Sequence, residues 1–183
     1  MEHTRPSEGR IAATYDYTDE NNKLLFQIVR FDPKDFSDRR PNEQGGWIWG
    51  LGTVQRVLYR LPEVIKASAV LILEGEKDVE TAYRLGLPDG FAATSSPFGA
   101  GQWLSKHSES LRGKRVFICP DNDMAGKQHM KQINRDLSGK ASEIRIINLP
   151  ESVKDLTEWE QSGGTSEEFA ALIHKADQYR QCI

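Results

Sequence analysis

The sequence has few cysteines, no long apolar run and no strong excess of charge of one sign, and each absence excludes a class of protein. Cys119 and Cys182 are the only cysteines. Two distant cysteines build neither a disulfide framework nor a zinc site of paired CxxC motifs. No segment approaches the roughly 18 apolar residues of a membrane span, so we expect no membrane association and no zinc.

Charge and the N-terminal segment narrow the setting further. The chain carries 24 Lys and Arg against 27 Asp and Glu, a net charge of −3. This balance argues against a protein that coats nucleic acid by bulk electrostatics, although a local basic patch is compatible with it. The N-terminal segment is polar and acidic, without the apolar core of a signal peptide, so we expect a cytoplasmic protein.

The first part of the chain, residues 1–68, predicts a small N-terminal subdomain that contains a β-hairpin. "IAATYDY" and "KLLFQIVRF" flank a polar turn and have the composition of paired strands. Residues 32–46 have the composition of a loop, and residues 53–67 indicate a helix interrupted before Pro62.

After residue 68 the pattern becomes an alternation of short β-branched runs and helical stretches. The runs "VLILE", "FAATS", "RVFICP" and "EIRIINLP" are separated by helical patterns near residues 77–85, 102–111 and 125–137. This order predicts an α/β domain over residues 69–160, with a mostly parallel four-stranded sheet flanked by helices. Residues 161–183 predict a C-terminal helix with Thr165 or Ser166 as N-cap.

Acidic residues follow three of the four predicted strands. Glu74 follows the first strand, Asp121 and Asp123 follow the third, and Asp155 follows the fourth. A single acid at such a position is ordinarily a turn or helix-cap residue, and Asp123 is a candidate cap for the helix predicted from Ala125. Several acids in one crevice at the carboxyl ends of parallel strands repel each other unless a cation neutralises them. Carboxylates suit Mg²⁺ or Mn²⁺, which favours phosphate-ester chemistry.

Other motifs that contain paired acids or glycines do not fit. A calcium loop starting at Asp121 would have Ala125 at its fifth position and Gln132 at its twelfth, so two ligands are missing. The chain also lacks the P-loop and the G-x-G-x-x-G dinucleotide motif. A phosphoacceptor receiver domain would have its acidic pair after the first strand, which is nearly the reverse of this arrangement.

"VLILEGEKD" and, about 45 residues later, "VFICPDNDMAG" resemble the Toprim domain shared by primases, topoisomerases and some nucleases. The resemblance covers about residues 70–155. It is strongest to the primases and primase-helicases of phages and mobile elements, through "EGEKD", D-x-D-x-A-G-K and "LPESVKDLTEW". It implies the Toprim fold, a Rossmann-like parallel sheet.

The resemblance also implies roles for the acids. Asp121 and Asp123 would hold one or two Mg²⁺ ions, and Glu74 would be a general acid/base or a further metal ligand. Asp155 would contribute to a second metal position. Asp78 would support the site from the first turn of its helix, after a tight turn at Gly75. For Asp78 and Asp155 a purely structural role at a helix start is equally open.

Basic residues supply candidate contacts with nucleic acid. The candidates for the phosphate backbone are Arg39, Arg40, Arg56 and Arg60, with Lys77 and Lys127 beside the acidic site. Trp47, Trp49 and Tyr59 are candidates for stacking on bases. The alternative is a solvated basic surface whose tryptophans tie the hairpin to the core. Gly99 and Gly101 form either a phosphate-binding nest or a flexible turn.

The leading hypothesis is a primase-type Toprim domain in the DNA replication of a phage or mobile element. It would carry out Mg²⁺-dependent nucleotidyl transfer, with single-stranded DNA and nucleoside triphosphates as partners. A separate helicase or zinc-binding module is a further candidate partner, because the sequence has neither a helicase motor nor paired cysteines. The alternatives are a metal-dependent nuclease that uses the same carboxylates and a non-catalytic DNA- or replisome-binding module. A topoisomerase fits less well, since its tyrosine-bearing domains have no room here.

Overall fold

The computed structural model describes residues 9–178, and its N-terminal part is an antiparallel sheet of four strands. The strands are β1 (Arg10–Thr18), β2 (Leu24–Asp32), β3 (Asp35–Pro41) and β4 (Trp47–Trp49), in the order β1-β2-β3-β4. The predicted hairpin is confirmed as β1 and β2. The prediction of a loop over residues 32–46 is wrong, because it contains β3, whose side chains are all exposed or half-buried and so show no apolar alternation.

A single short helix follows this sheet. Helix α1 (Leu61–Lys66) begins one residue before Pro62, which is tolerated in a first helical turn because its missing N–H has no partner there. Arg60 precedes the helix with a left-handed backbone (φ 54°). The broken helix expected over residues 53–67 is therefore wrong for its first half, which forms neither helix nor strand.

The second sheet is parallel except for one edge strand. Its order is β6-β5-β7-β8-β9, and only the pair β8-β9 is antiparallel. The strands are β5 (Ala69–Ile72), β6 (Phe91–Thr94), β7 (Arg115–Ile118), β8 (Glu143–Ile146) and β9 (Asp177–Gln178). The first four strands are those that the sequence predicts, and β9 extends the sheet by a short edge that the sequence did not indicate.

Helices cover both faces of the parallel sheet. They are α2 (Glu76–Leu85), α3 (Ser105–Glu109), α4 (Met124–Leu137), α5 (Leu156–Gln161) and α6 (Ser166–Lys175). Thr165 is the N-cap of α6 and exchanges hydrogen bonds with Glu168, as the sequence pattern predicts. No helix in the described part of the chain has the length and apolar character needed to cross a bilayer.

The two sheets share one hydrophobic core. Alternate residues of β5 point to opposite faces, so Val70 and Ile72 pack with α1 and α4, whereas Leu71 packs on the other side. The Leu71 side of the sheet forms one cluster with α2, α5 and α6 and with buried aromatic residues of the N-terminal sheet, Tyr17 and Phe26. This shared core fixes the antiparallel sheet beside the carboxyl ends of the parallel strands.

Candidate active site

The site lies where the order of the parallel strands reverses. The chain runs from β5 outward to β6 and then returns across β5 to β7, so β5 and β7 are neighbours with Ile72 paired to Ile118. The connections that leave the two carboxyl ends diverge and open a crevice, which is where ligands bind in open α/β sheets. Glu74 follows β5 and Asp121 follows β7, and both line this crevice.

One carboxylate oxygen of Glu74 is buried in the protein. Its Oε2 atom is buried and has no hydrogen-bond partner within residues 9–178. Burial raises the pKa of Glu74, and the neighbouring charge of Asp123 raises it further, whereas Lys154 lowers it. A raised pKa makes an ionised carboxylate a better proton acceptor than an ordinary glutamate.

Asp121 is the most perturbed acid of the site. It is buried, with 8% of the residue exposed. Burial raises the pKa of Asp121 to about 7, with further contributions from the negative charges of Glu74, Asp78 and Asp155. These neighbouring negative charges disfavour the ionised form of Asp121, and a cation beside the carboxylates would relieve that repulsion.

Asp123 has a structural role at the start of α4. Its Oδ1 accepts a hydrogen bond from the backbone N–H of Gly126 at 2.9 Å, so Asp123 is the N-cap of the helix. This hydrogen bond is the main reason that the pKa of Asp123 is lowered. The other oxygen, Oδ2, faces Lys154, so one carboxylate oxygen caps the helix while the second points toward the site.

Gly126 allows α4 to pack directly on Asp121. A Cβ atom at Gly126 would lie 2.5 Å from the backbone oxygen of Asp121 and 2.9 Å from its backbone nitrogen. No side chain fits at these distances. The glycine of "DNDMAG" therefore holds Asp121 and the Asp123-capped helix in one compact unit.

Lys154 lies between the two aspartates. Its Nζ atom is 3.4 Å from Oδ2 of Asp123 and 3.8 Å from Oδ2 of Asp121. The pKa of Lys154 is raised, chiefly by the charge of Asp121. The sequence analysis did not select Lys154 as a site residue, although the segment "SVKD" places it immediately before Asp155.

The acids fit a hard divalent cation by their chemistry. Glu74, Asp121 and Asp123 offer only oxygen ligands, which are the ligands that such a cation prefers. Within residues 9–178, however, no three His, Cys, Asp or Glu side chains converge as a ready-made metal site. Lys154 supplies the positive charge between the aspartates in this arrangement, so a metal held there would displace its ammonium group.

Asp78 and Asp155 line the crevice and also serve as hydrogen-bond acceptors for α5. Oδ1 of Asp78 accepts from the hydroxyl of Thr157 at 2.6 Å and from its backbone N–H at 3.0 Å. Oδ1 of Asp155 accepts from the backbone N–H of Glu158 at 2.7 Å and caps the helix. The structural alternative is thus realised for both, while one oxygen of each carboxylate is not used in these bonds.

Gly75 is the N-cap of α2 and has an extended backbone (φ −133°) that any residue adopts. The tight turn expected from this glycine is wrong. The next residue, Glu76, is buried and accepts a hydrogen bond from the Tyr17 hydroxyl at 2.6 Å. This bond joins strand β1 of the N-terminal sheet to the first turn of α2, two residues after Glu74.

Four arginines that the sequence singled out make contacts within the protein. Arg39 donates to Gln27 at 2.7 Å and lies over the Trp47 ring at 4.1 Å. Arg40 donates to the carbonyl oxygen of Gly50, and Arg56 lies over the Phe98 ring at 4.9 Å. Arg60 forms an ion pair with Glu80 at 3.1 Å and lies over Tyr83.

The three aromatic residues proposed to stack on bases also make contacts within the protein. Trp47 and Trp49 lie in β4, where Arg39 packs on both rings. The Tyr59 hydroxyl donates a hydrogen bond to Glu80.

The crevice gains part of its positive charge from residues of the N-terminal sheet that the sequence analysis did not single out. It has a volume of about 390 Å³ and is lined by Arg30, Lys34 and Phe36 of the N-terminal sheet as well as by the acids. Lys77 also lines it, whereas Lys127 is an exposed residue of α4. A sequence signal existed in "RFDPKDF", where two cations flank a turn, but the fold alone brings them to the acids.

Loop residues Phe98 and Gly99 complete the lining of the crevice. Gly99 and Gly101 have left-handed backbones, with φ of 72° and 78°, and the N–H of Gly101 donates to Nδ1 of His129 at 3.1 Å. At Gly101 the N–H is thus directed into the protein and not toward a phosphate nest.

The comparison with protein families identifies the parallel domain. Residues 71–159 match the family described as Toprim-like. Among curated proteins, an uncharacterized protein of Mycoplasma genitalium is 27% identical over 94 residues, which cover 50% of this chain and 41% of the relative. The chain thus spans less than half the length of that relative.

Solved primase structures share the fold. The Aquifex aeolicus primase, with zinc-binding and RNA polymerase domains, matches with a TM-score of 0.69 and 20% identity over 96% of this chain and 44% of its own. The primase fragment of the bacteriophage T7 primase-helicase matches with a TM-score of 0.63 and 21% identity, over 87% and 61% of the two chains. A DNA primase domain from Pseudomonas aeruginosa matches with a TM-score of 0.64 and 19% identity, over 90% of this chain and 51% of its own. Residues 71–159 therefore form a Toprim-like domain, and the chain has the fold of bacterial and phage primase domains.

Proposed function

We propose that the protein catalyses Mg²⁺-dependent nucleotidyl transfer on a single-stranded DNA template, as a primase-type enzyme in the cytoplasmic DNA replication of a phage or mobile element. The observation that carries the proposal is the meeting of Glu74 and Asp121 at the strand-order reversal of a primase-type fold. Both have raised pKa values, and both line the crevice that Arg30 and Lys34 also line.

The acids divide the chemistry between them. Asp121 and Asp123 would hold Mg²⁺ or Mn²⁺, which when bound neutralises phosphate charge and orients the reacting oxygens. Glu74 would accept the proton of the attacking 3′-hydroxyl, for which its raised pKa is suited, or would be a further metal ligand. Asp155 would assist a second metal position with the oxygen that does not cap α5, and Asp78 and Gly75 support the first turn of α2 beside Glu74.

Nucleotide and DNA phosphates bind along the basic side of the crevice. Arg30, Lys34 and Lys77 line it and provide charge close to the acids. Arg39, Arg40, Arg56, Arg60 and Lys127 stay predicted contacts of the DNA backbone outside the crevice. Because each lost phosphate contact lowers the salt dependence of binding, Arg30→Gln with Lys34→Gln should reduce the slope of log affinity against log salt by about 1–2. An unchanged slope would remove these residues from the DNA path.

The partners follow from the same reaction. Nucleoside triphosphates and single-stranded DNA are the substrates, and a helicase or zinc-binding module on a separate chain is the partner that would deliver or read the template. The solved neighbours are described as a primase-helicase of phage T7 and as an Aquifex aeolicus primase with a zinc-binding domain. Their descriptions support a search for such partners.

The test is an incubation of the full chain with Mg²⁺ or Mn²⁺, labelled nucleotides and single-stranded DNA. We expect labelled oligonucleotides from the wild type, and a loss of at least about 100-fold in Glu74→Gln and Asp121→Asn, as is usual when a catalytic proton-transfer or charge-stabilising group is removed. The control is Asp89→Asn, an exposed acid just before β6 at the opposite end of the sheet. It should retain wild-type activity.

Two other outcomes would replace the proposal. Shortened template with no new oligonucleotide would indicate the metal-dependent nuclease that uses the same carboxylates. Binding of single-stranded DNA with neither synthesis nor cleavage, at both metals and with every nucleotide set, would indicate a non-catalytic binding module.

A further inference from the structure

A small cavity lies directly behind Glu74, between the parallel sheet and α4. It has a volume of about 10 Å³, which is close to the space that one water molecule needs. Its lining includes Glu74, Cys119, Gly126 and His129, together with apolar residues of β5, β7 and α4. Glu74 lines both this cavity and the open crevice.

Two polar atoms of residues that line this cavity are buried without a hydrogen-bond partner in the described part of the chain. They are Oε2 of Glu74 and Nε2 of His129. A buried polar group without a hydrogen-bond partner destabilises the fold, so such atoms are rare and are commonly satisfied by an internal water. Two of them around one water-sized space indicate a shared partner.

The hydrogen bonds of His129 fix which of its nitrogens carries the proton. Nδ1 accepts the backbone N–H of Gly101 at 3.1 Å, so Nδ1 is unprotonated. Burial lowers the pKa of His129 to about 4, so the ring is neutral at physiological pH. The single ring proton is therefore on Nε2, which is a donor, and Oε2 of Glu74 is an acceptor.

We propose that one water molecule occupies this cavity, accepts the Nε2–H of His129 and donates to Oε2 of Glu74, which makes His129 a positioning residue for the Glu74 carboxylate. The same histidine holds the loop of Gly101, so the ring connects that loop to Glu74. The inference deepens the proposed function, on which it rests for the chemical role of Glu74. Its tests need neither nucleotide nor turnover, so its failure is distinguishable from failure of the nucleotidyl transfer.

His107 supplies a matched control within the same molecule. Its Nδ1 accepts a backbone N–H, from Leu104 at 3.2 Å, its Nε2 is also buried without a partner in residues 9–178, and burial lowers its pKa to about 4. Both rings pack edge-on against Trp103. His107 does not line the cavity behind Glu74.

Histidine ring spectra test the hydrogen-bond chain directly. In metal-free protein labelled with ¹⁵N at histidine, we expect His129 to be protonated at Nε2 and its Nε2–H to exchange slowly and to show a cross-peak with a long-lived water. The Nε2–H resonance of His129 should move in Glu74→Ala, while that of His107 stays in place. A His129 resonance unchanged by Glu74→Ala, or a proton on Nδ1, would overturn the proposal.

Mn²⁺ binding, followed through the spin-resonance signal of the free ion, tests the consequence for the site. Loss of a partner that orients a metal ligand typically weakens metal binding 10–100-fold, and through one water we expect about 3–10-fold in His129→Leu. His129→Gln retains an N–H donor at nearly the position of Nε2 and should recover most of the affinity. His107→Leu should bind Mn²⁺ as the wild type does. Equal affinities in His129→Leu and His107→Leu would reject the positioning role.

Discussion

Gly126→Ala should destabilise the protein, against the usual effect of this substitution in a helix. Alanine is favoured over glycine in helices by about 1 kcal/mol, so an unobstructed site would become more stable. At Gly126 the added Cβ would lie 2.5 Å from the backbone oxygen of Asp121 and 3.0 Å from its Cβ, where ordinary contacts begin at 3.4 Å. These are backbone-fixed atoms, so the start of α4 would have to move by nearly an ångström.

The magnitude follows from the two opposing effects. Overpacking of this kind costs about 1–3 kcal/mol, and subtraction of the helix gain of about 1 kcal/mol leaves a net loss of up to about 2 kcal/mol. For a chain of 183 residues, this loss corresponds to a fall in Tm of up to about 8 °C. Because the helix start carries Asp123 and packs on Asp121, the same shift should also weaken Mn²⁺ binding.

The assay is thermal unfolding by calorimetry with Mn²⁺ titration of the same samples. Gln128→Ala is the control, since Gln128 is an exposed residue of the same helix and its replacement should change stability by less than about 0.5 kcal/mol. A Gly126→Ala protein that is more stable than the wild type would refute the close packing of α4 on Asp121.

Three further predictions concern the charges and bonds around the site. Because the folded pKa of Asp121 is about 7, the stability that protonated Asp121 contributes is present below about pH 4 and is lost as the pH rises to about 7. Between pH 4 and 8 in EDTA, the unfolding free energy of Asp121→Asn should therefore rise by roughly 2–4 kcal/mol relative to that of the wild type. A difference between the two unfolding free energies that does not change with pH would contradict the raised pKa. Lys154→Met removes a cation that lies 3.4 Å from Asp123, so Mn²⁺ should bind about two- to tenfold more tightly; weaker binding would mean that the ammonium group does not compete with the metal. Tyr17→Phe leaves a buried Glu76 oxygen without its hydrogen-bond partner at 2.6 Å, so the free energy of unfolding measured in urea should fall by about 1–3 kcal/mol. Adding Glu76→Leu should recover part of this loss, whereas full additivity of the two changes would argue against the hydrogen bond.

The sequence was most informative where one local interaction decides the structure. The buried strands of the parallel sheet are short apolar runs, and their carboxyl ends could be located together with Glu74 and Asp121. The cap of α6 at Thr165 also follows from local hydrogen bonding. Asp123 was recognised both as a candidate cap and as a candidate site acid. Its Oδ1 caps α4, and its Oδ2 faces Lys154.

Features that depend on contacts between distant parts of the chain were not predicted from the sequence. Strand β3 is polar because its side chains are exposed or half-buried, and only its pairing with β2 identifies it as a strand. Lys154 reaches Asp121 through the packing of the segment after β8, and Arg30 reaches the crevice through the packing of one sheet on another. The division of the chain at residues 68 and 160 stays a prediction.

The mixed charge of the crevice links its ligands thermodynamically. Arg30 and Lys34 would attract a phosphate chain, whereas the ionised acids Glu74 and Asp121, which line the same 390 Å³, would repel it. A divalent cation bound by the acids would turn that repulsion into attraction, so the cation and the polyanion would each raise the affinity for the other. Reciprocity requires the two factors to be equal. The ratio of DNA affinities with and without Mn²⁺ must therefore equal the ratio of Mn²⁺ affinities with and without DNA, whichever reaction the site performs.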